Sequence, residues 1–364
     1  MSAYVASLSS ATPMEQGRVA CRQVSGVLER LLLSLGDAES GHRAYLRVVL
    51  QPNRPMLYLR NAACATALLA LAAGVPRAAT AQRPGIQRIT LTADDGHPIT
   101  VWRVAARAGA PKRGSVLLLH GRTWSSLPNF DLHVGTRSHS LMEAFAAAGY
   151  ETWAADQRGY GATPRDSSGW LTPNRAEHDV EMVLDSMAGR ARRGATPPVV
   201  IGYSFGTLYG ALVATRHPEK MRAFVMYGFA VDVTKPIPLD TATRTPRRER
   251  TTAANAAEDF LSPESTPAGV KEAYMREAPE RDSVRADWRH YEQFNAVDPP
   301  KMRVPVLIVG GERDPIMNGS HPATFFERLR EVDRAWIIVP GTDHVLHLEK
   351  QAMFVAAVRG FVER

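Results

Sequence analysis

Residues 197–214 read PPVVIGYSFGTLYGALVA. A short apolar run, Val199-Val200-Ile201, meets Gly202-Tyr203-Ser204-Phe205-Gly206, and small residues at helical spacing follow. Such a run fits a strand buried on both faces, so the pentapeptide sits at a strand–turn–helix junction and matches G-x-S-x-G. The turn is so tight that a Cβ at either flanking glycine would clash, and the serine must accept an unfavourable backbone conformation. Its Oγ would then stand exposed above the sheet with a helix N-terminus behind it. The plainer alternative is a serine that merely caps the helix. A hydroxyl is a poor nucleophile without a base, so partners elsewhere in the chain decide between the two.

Those partners are present in register. The stretch VGGERDPIM, 309–317, places Asp314 at the C-terminal end of a strand, and PGTDHVLHLE, 340–349, places His344 in the loop after the last strand. The chain order Ser204, Asp314, His344 follows one of the known triad orders, and each residue falls where a parallel sheet exposes its ligand face. His344 would take the serine's proton while Asp314 fixes its tautomer. Two alternatives accompany this assignment. His347 lies three residues on, inside an apolar run that suits packing at the start of the last helix. Asp232 follows the preceding strand and could be the acid, although GERDP ends a strand more cleanly; Asp314 by itself could be no more than a turn-forming Asp before Pro. The oxyanion needs two backbone N–H donors, expected from Phe205 and from Arg122 in His120-Gly121-Arg122-Thr123-Trp124. The Arg122 side chain could also hold a substrate carbonyl or acid, and His120 is read as ordering its loop.

Outward from these motifs, alternating strands and helices fill 86–364. IQRITLTADDGHPITVWRVAA, 86–106, reads as a hairpin around Asp94-Asp95-Gly96. GSVLLLHG and ETWAAD read as strands, with a helix over 137–149 between them, and PNRAEHDVEMVLDSMAGRA as an amphipathic helix opening at Pro173. RAFVMYG, RVPVLIVGGERD and RAWIIVPG are further strands, HPATFFERLREV is a helix, and 349–364 closes the chain as one helix. The pattern implies an α/β fold with a mostly parallel central sheet flanked by helices. Residues of about 231–298 break the rhythm and are expected to form a small helical cap, with short helices over 256–264, 268–278 and 284–294. Trp124, Phe130, Trp170, Tyr203, Trp288, Tyr291 and Phe294 are candidates for an aromatic mouth, with core packing the competing use of each. The Arg-rich run 244–250 is expected to face solvent.

The formal charge of +7 is spread along the chain without a nucleic-acid-binding motif, which argues against a nucleic-acid partner. Residues 56–81 carry Arg60, an apolar run over 62–75 and Ala79-Thr80-Ala81, the order found in a secretory signal; a buried Ala-rich helix is the alternative. The run is too short for a membrane anchor. A signal there predicts translation from Met56 or an upstream extension over 1–55, a hydrolytic domain over 82–364, and a periplasmic or secreted protein; without its use the protein would be cytoplasmic. Removing eight of the 44 cationic and four of the 37 acidic residues with 1–81 leaves 36 against 33, a charge of +3. Both cysteines, Cys21 and Cys64, leave with it, which excludes a Cys nucleophile, a Cys-ligated metal and a disulfide scaffold in the remainder.

HGRTWS (120–125), DQRGYGAT (156–163), GYSFG, GERDP and GTDHVLHLE together resemble the α/β-hydrolase superfamily over about 86–364. The resemblance implies that Asp156 and Arg158 order a loop rather than react, and that no metal or organic cofactor is needed. Serine at 204 argues against the dehalogenase and epoxide hydrolase branches, which use a carboxylate there. Esterase, lactonase, carbon–carbon hydrolase, cofactor-free peroxidase and lyase chemistries remain. HGRTWSSLPNFDL, 120–132, with the cap and the signal-like segment, is similar to the serine-dependent macrolide esterases carried on mobile resistance cassettes. That likeness implies a small-molecule ester or lactone substrate and opening of a large lactone ring; a general small-ester carboxylesterase is the other reading. A non-catalytic receptor on this fold would be expected to lose a triad member, and all three are kept.

Overall fold

The computed structural model describes residues 85–364 apart from 230, 318, 319 and 331. The signal-like segment 56–81 and the stretch 1–55 lie outside the described residues.

The N-terminal strands β1 (Ile86–Thr92) and β2 (Pro98–Val104) form the expected antiparallel hairpin. Asp95 closes its turn by accepting the His97 N–H at 3.1 Å, the short-side-chain chemistry that favours Asp in turns. Six further strands complete one sheet: β3 (Ser115–Leu119), β6 (Glu151–Ala155), β8 (Val199–Tyr203), β9 (Ala223–Tyr227), β11 (Val306–Gly311) and β12 (Arg334–Val339), in the order β1-β2-β6-β3-β8-β9-β11-β12. β2 pairs antiparallel with β6, and every pairing from β6 to β12 is parallel. The central strands β3, β6, β8, β9 and β11 are buried on both faces, as continuous apolar runs require, whereas the edge strand β12 leaves Trp336 and Ile338 exposed. Leu117 and Leu119 face one core with α3 (Pro173–Arg190) and α4 (Gly206–Arg216); Val116 and Leu118 face the other, with α2 (Leu141–Ala147) and α9 (Gln351–Val362). The chain runs from β3 to β6 on one side and from β8 to β9 on the other, so the loops after β3 and β8 open onto a shared crevice, the usual ligand site of such sheets.

Three local expectations change. The helix read over 137–149 begins only at Leu141, because the Ser140 hydroxyl accepts the Glu143 N–H at 3.0 Å and caps it. Upstream, β5 (Arg137–His139) pairs antiparallel with β4 (Leu132–Val134) around Gly135, whose φ of 58° suits the tight turn. The closing helix is present but shorter than read, α9 alone, and a separate turn, α8 (Leu346–Glu349), precedes it; between them Lys350 bonds the Pro340 carbonyl through its ammonium at 2.6 Å.

Between β9 and β11 the cap holds α5 (Ala253–Ala257) and α6 (Val270–Arg281). The third cap helix does not form. Instead β10 (Asp287–Trp288) pairs in parallel with β7 (Trp170–Leu171), and a two-turn 3-10 helix follows over Tyr291–Ala296. Burial of Trp288, with its indole N–H on the Tyr160 hydroxyl at 2.7 Å, outweighs the helical pattern of 284–294.

Candidate active site

Ser204 stands at the β8–α4 corner with a φ of 51°, a left-handed conformation that costs a non-glycine residue of order 1–3 kcal/mol and persists only where its surroundings enforce it. Its amide donates to the Tyr227 carbonyl at 2.8 Å, and its carbonyl accepts the Thr207 N–H at 3.0 Å and hydroxyl at 2.8 Å. The flanking glycines are steric necessities: a Cβ at Gly202 would stand 2.7 Å from the Gly206 oxygen, and one at Gly206 would overlap the Leu119 carbonyl at the end of β3. The corner therefore locks against the loop that follows β3. A Cβ on Gly121 in that loop would lie 3.4 Å from the Ser204 Cβ.

His344 and Asp314 meet from separate loops. Asp314 Oδ2 lies 2.9 Å from His344 Nδ1, its other oxygen accepts the Ile316 N–H at 2.9 Å, and the carboxylate is fully buried. The imidazole ring centre is 5.2 Å from that of Tyr203, Ser204's neighbour in the chain. Burial, the largest single influence, would depress this histidine; the hydrogen bond and charge of Asp314 together with the charges of Asp259 and Asp343 outweigh it, and the net shift is upward. Among the described residues no hydrogen bond joins Ser204 Oγ to His344; catalytic bonds of this kind commonly tighten only in the substrate complex.

The two competing residues are engaged elsewhere. Asp232 accepts the Thr234 N–H and hydroxyl at 2.9 and 2.6 Å and lies 3.1 Å from His321 Nδ1. His347 is fully buried with Nδ1 2.9 Å from the Tyr227 hydroxyl and Nε2 donating to the Asn129 carbonyl at 2.7 Å. Burial holds it down at about 3, so it cannot act as a base that gains and returns a proton near neutrality.

The loop after β3 is fixed from several sides. His120 is buried, with Nδ1 on the Gly121 carbonyl at 2.8 Å and Nε2 accepting the Gln157 N–H at 3.1 Å, which is the ordering part expected of it. The Tyr160 hydroxyl donates to the Arg122 carbonyl and receives the Trp288 indole N–H, so the loop at Arg122 is tied through Tyr160 to the cap. Neither the Arg122 nor the Phe205 amide is taken up by a hydrogen bond among the described residues. Asp156 accepts from the Trp102 indole at 2.9 Å and the Ser126 amide at 3.0 Å; Arg158 is buried in a fork on Asp179 and Asp95 with a further bond to Asp166. Both serve loop architecture.

The cap contributes a clamp that the sequence reading missed. Asp282, the C-cap of α6, is buried and accepts the Ser125 N–H and hydroxyl, both at 2.8 Å, and the Gly161 N–H at 2.7 Å. One carboxylate thus ties the end of the loop after β3 to the 156–163 loop. Asp282→Ala is expected to lower kcat on a small ester by about 10²-fold through loss of alignment, with KM little changed; steady-state kinetics beside a melting curve check it.

The aromatic candidates divide. Phe130 is a core residue, packed on Tyr203 and His347. Trp124 and Tyr203 are buried next to the site. Phe205 makes edge contacts with Trp288, Tyr291 and Phe294 at 4.7, 5.9 and 5.5 Å, and the exposed Arg122 guanidinium lies over Tyr291 at 5.7 Å. Trp170 is instead covered by Arg244 and Arg289 at 5.7 and 5.4 Å. Most of 244–250 is solvent-exposed. Two carboxylate–histidine groups among the described residues have metal-like spacing, Asp131/His133/Glu143 and Glu177/Glu181/His217. Neither includes a candidate catalytic residue, and Arg216 and Lys220 already pair with the carboxylates of the second.

A strained serine corner, a buried acid–histidine pair and two free amides form the geometry of a serine hydrolase. The family described as "Serine aminopeptidase, S33" matches residues 110–351. The chain belongs to this family of α/β hydrolases. Solved structures agree on the fold: a "Lipase (Open form)" at 20% identity and TM-score 0.54, covering 77% of this chain and 100% of its own; the esterase RhEst1 from Rhodococcus sp. ECU1013 at 18% and 0.53, covering 77% and 98%; and the serine hydrolase CCSP0084 from Cycloclasticus zankles at 16% and 0.55, covering 77% and 98%. At these identities the likeness is one of fold. No curated protein sequence matches the chain. Among the described residues no helix is long and apolar enough to cross a membrane.

Proposed function

We propose that this hydrolase is a serine esterase that opens lactones of the macrolide class by two-step acyl transfer. Ser204 attacks the carbonyl, the Phe205 and Arg122 amides hold the oxyanion, and His344, oriented by Asp314, passes the serine's proton to the leaving alkoxide. His344 then draws a proton from water, which releases the acid and restores Ser204. The observation that carries the reading is the 2.9 Å Asp314–His344 bond beside a serine held at φ 51°. The likeness of 120–132 to macrolide esterases and the aromatic group around Phe205 support a large apolar lactone over a small ester.

Mass spectrometry of 14- and 16-membered macrolides incubated with the purified protein tests it. Ring opening adds one water, roughly 18 Da, and the addition should depend on Ser204. Unchanged macrolides with small aryl esters still cleaved would leave a general carboxylesterase and remove the macrolide assignment.

A further inference from the structure

Beside His344, under the cap, three polar groups are incompletely served. The Trp124 indole N–H and the Tyr203 hydroxyl are buried with no hydrogen-bond partner, in residues only 2% exposed. Burial without a partner costs about 1–3 kcal/mol for each group unless a ligand or water completes it.

The third is Asp259, which follows α5. Its Oδ2 lies 2.8 Å from the Tyr274 hydroxyl, which also lies 3.0 Å from Asn129 Oδ1. The Asn129 orientation is fixed, because its amide nitrogen donates to both the Trp124 and Ser125 carbonyls at 2.9 Å. One phenolic proton therefore serves two acceptors, and Asp259 Oδ1 has no hydrogen bond among the described residues. The three groups belong to one neighbourhood. Trp124 meets the Tyr274 ring edge-on at 6.4 Å, the Tyr203 ring lies 5.2 Å from His344, and Asp259 acts electrostatically on both Tyr203 and His344.

We propose that Asp259, Trp124 and Tyr203 form a polar subsite for a hydroxyl group on the alcohol portion of the substrate. The proposal rests on the serine-esterase reading above. The donor set selects the chemistry: a hydroxyl can donate to Asp259 Oδ1 while accepting from Trp124 or Tyr203, whereas a protonated amine, which only donates, would leave the Trp124 indole N–H without an acceptor. The alcohol portion is favoured because His344, around which the subsite stands, hands its proton to the leaving oxygen. A polyhydroxylated lactone meets this requirement, and so does a glyceryl ester.

The test compares propyl butyrate, 2,3-dihydroxypropyl butyrate and 2-(dimethylamino)ethyl butyrate, with butyrate release followed by titration. The protein is expected to favour the dihydroxypropyl ester over the propyl ester by about tenfold or more in kcat/KM, since a site built for a substrate hydroxyl discriminates against its absence. Asp259→Leu and Tyr203→Phe should each bring that ratio toward one. Tyr203→Phe keeps the ring and its packing, so it carries the test should Asp259→Leu fail to fold. Equal rates on the propyl and dihydroxypropyl esters, a ratio retained in the variants, or preference for the amine would each overturn the subsite. Failure to cleave any of the three, or cleavage that survives Ser204→Ala, would instead count against the esterase reading.

Discussion

Ser204→Ala is expected to lower kcat on an activated aryl ester by about 10⁶-fold, leaving the residual rate that oxyanion donors and binding alone supply. The substitution removes only Oγ. The bonds that hold the corner, Ser204 N–H to the Tyr227 carbonyl and the Thr207 N–H and hydroxyl to the Ser204 carbonyl, use only main-chain atoms of Ser204 and survive it. Alanine suffers at φ 51° much as serine does, so the melting temperature should move little. Initial rates with a thermal melt on the same preparation check both halves. Hydrolysis within tenfold of the parent would mean that the corner serine is not the nucleophile and that its strain serves packing. A large loss of stability would mean that the Oγ itself helps hold the corner.

The parts of this site that were legible in the sequence are those set by local backbone chemistry. Gly202 and Gly206 announce the corner because no other residue fits against the Gly206 oxygen and the Leu119 carbonyl. Asp314 and His344 announce themselves by falling at strand ends in a meaningful chain order. Discrimination among alternatives needed three dimensions. Asp232 and His347 carry the same functional groups as the residues preferred to them, and only their partners, Thr234 with His321 and Tyr227 with Asn129, show them occupied. Tyr160 lay inside a recognised motif without a distinguishable task; its contact with Arg122 crosses 38 positions of chain. Asp282 and Asp259 gave no signal at all. Each is one acid in a charged, helix-forming stretch, and the bond from Asp282 to Ser125 spans 157 residues. The misreading of 284–294 has the same origin, since a two-residue strand exists only through its pairing with Trp170-Leu171.

Asp314→Asn should cost about 10⁴-fold in kcat and should also move the pH profile. In the parent, Asp314 accepts from His344 Nδ1, which leaves Nε2 for the proton that the proposed mechanism takes from Ser204. An asparagine turning its amide nitrogen to Nδ1 would stabilise the other tautomer and place the proton on Nε2, where it blocks the transfer. The pH consequence follows from the balance at His344. Burial pulls the imidazole down, and the Asp314 bond and charge, with the charges of Asp259 and Asp343, together lift it to above the ordinary 6.5. A base must be neutral to act, so activity should fall as acid is added through this raised value, with an acid limb above about 6.5 in the parent. With Asp314 neutralised, burial is opposed mainly by Asp259 and Asp343, and the acid limb should move to lower pH while the plateau drops. Profiles of kcat/KM for the parent, Asp314→Asn and Asp232→Asn separate the possibilities. A limb that moves only in Asp232→Asn would transfer the acid's part to that residue, against its engagement with Thr234 and His321. A limb unmoved in both would mean that the titration belongs to a group other than His344, and the base would have to be sought elsewhere in the crevice.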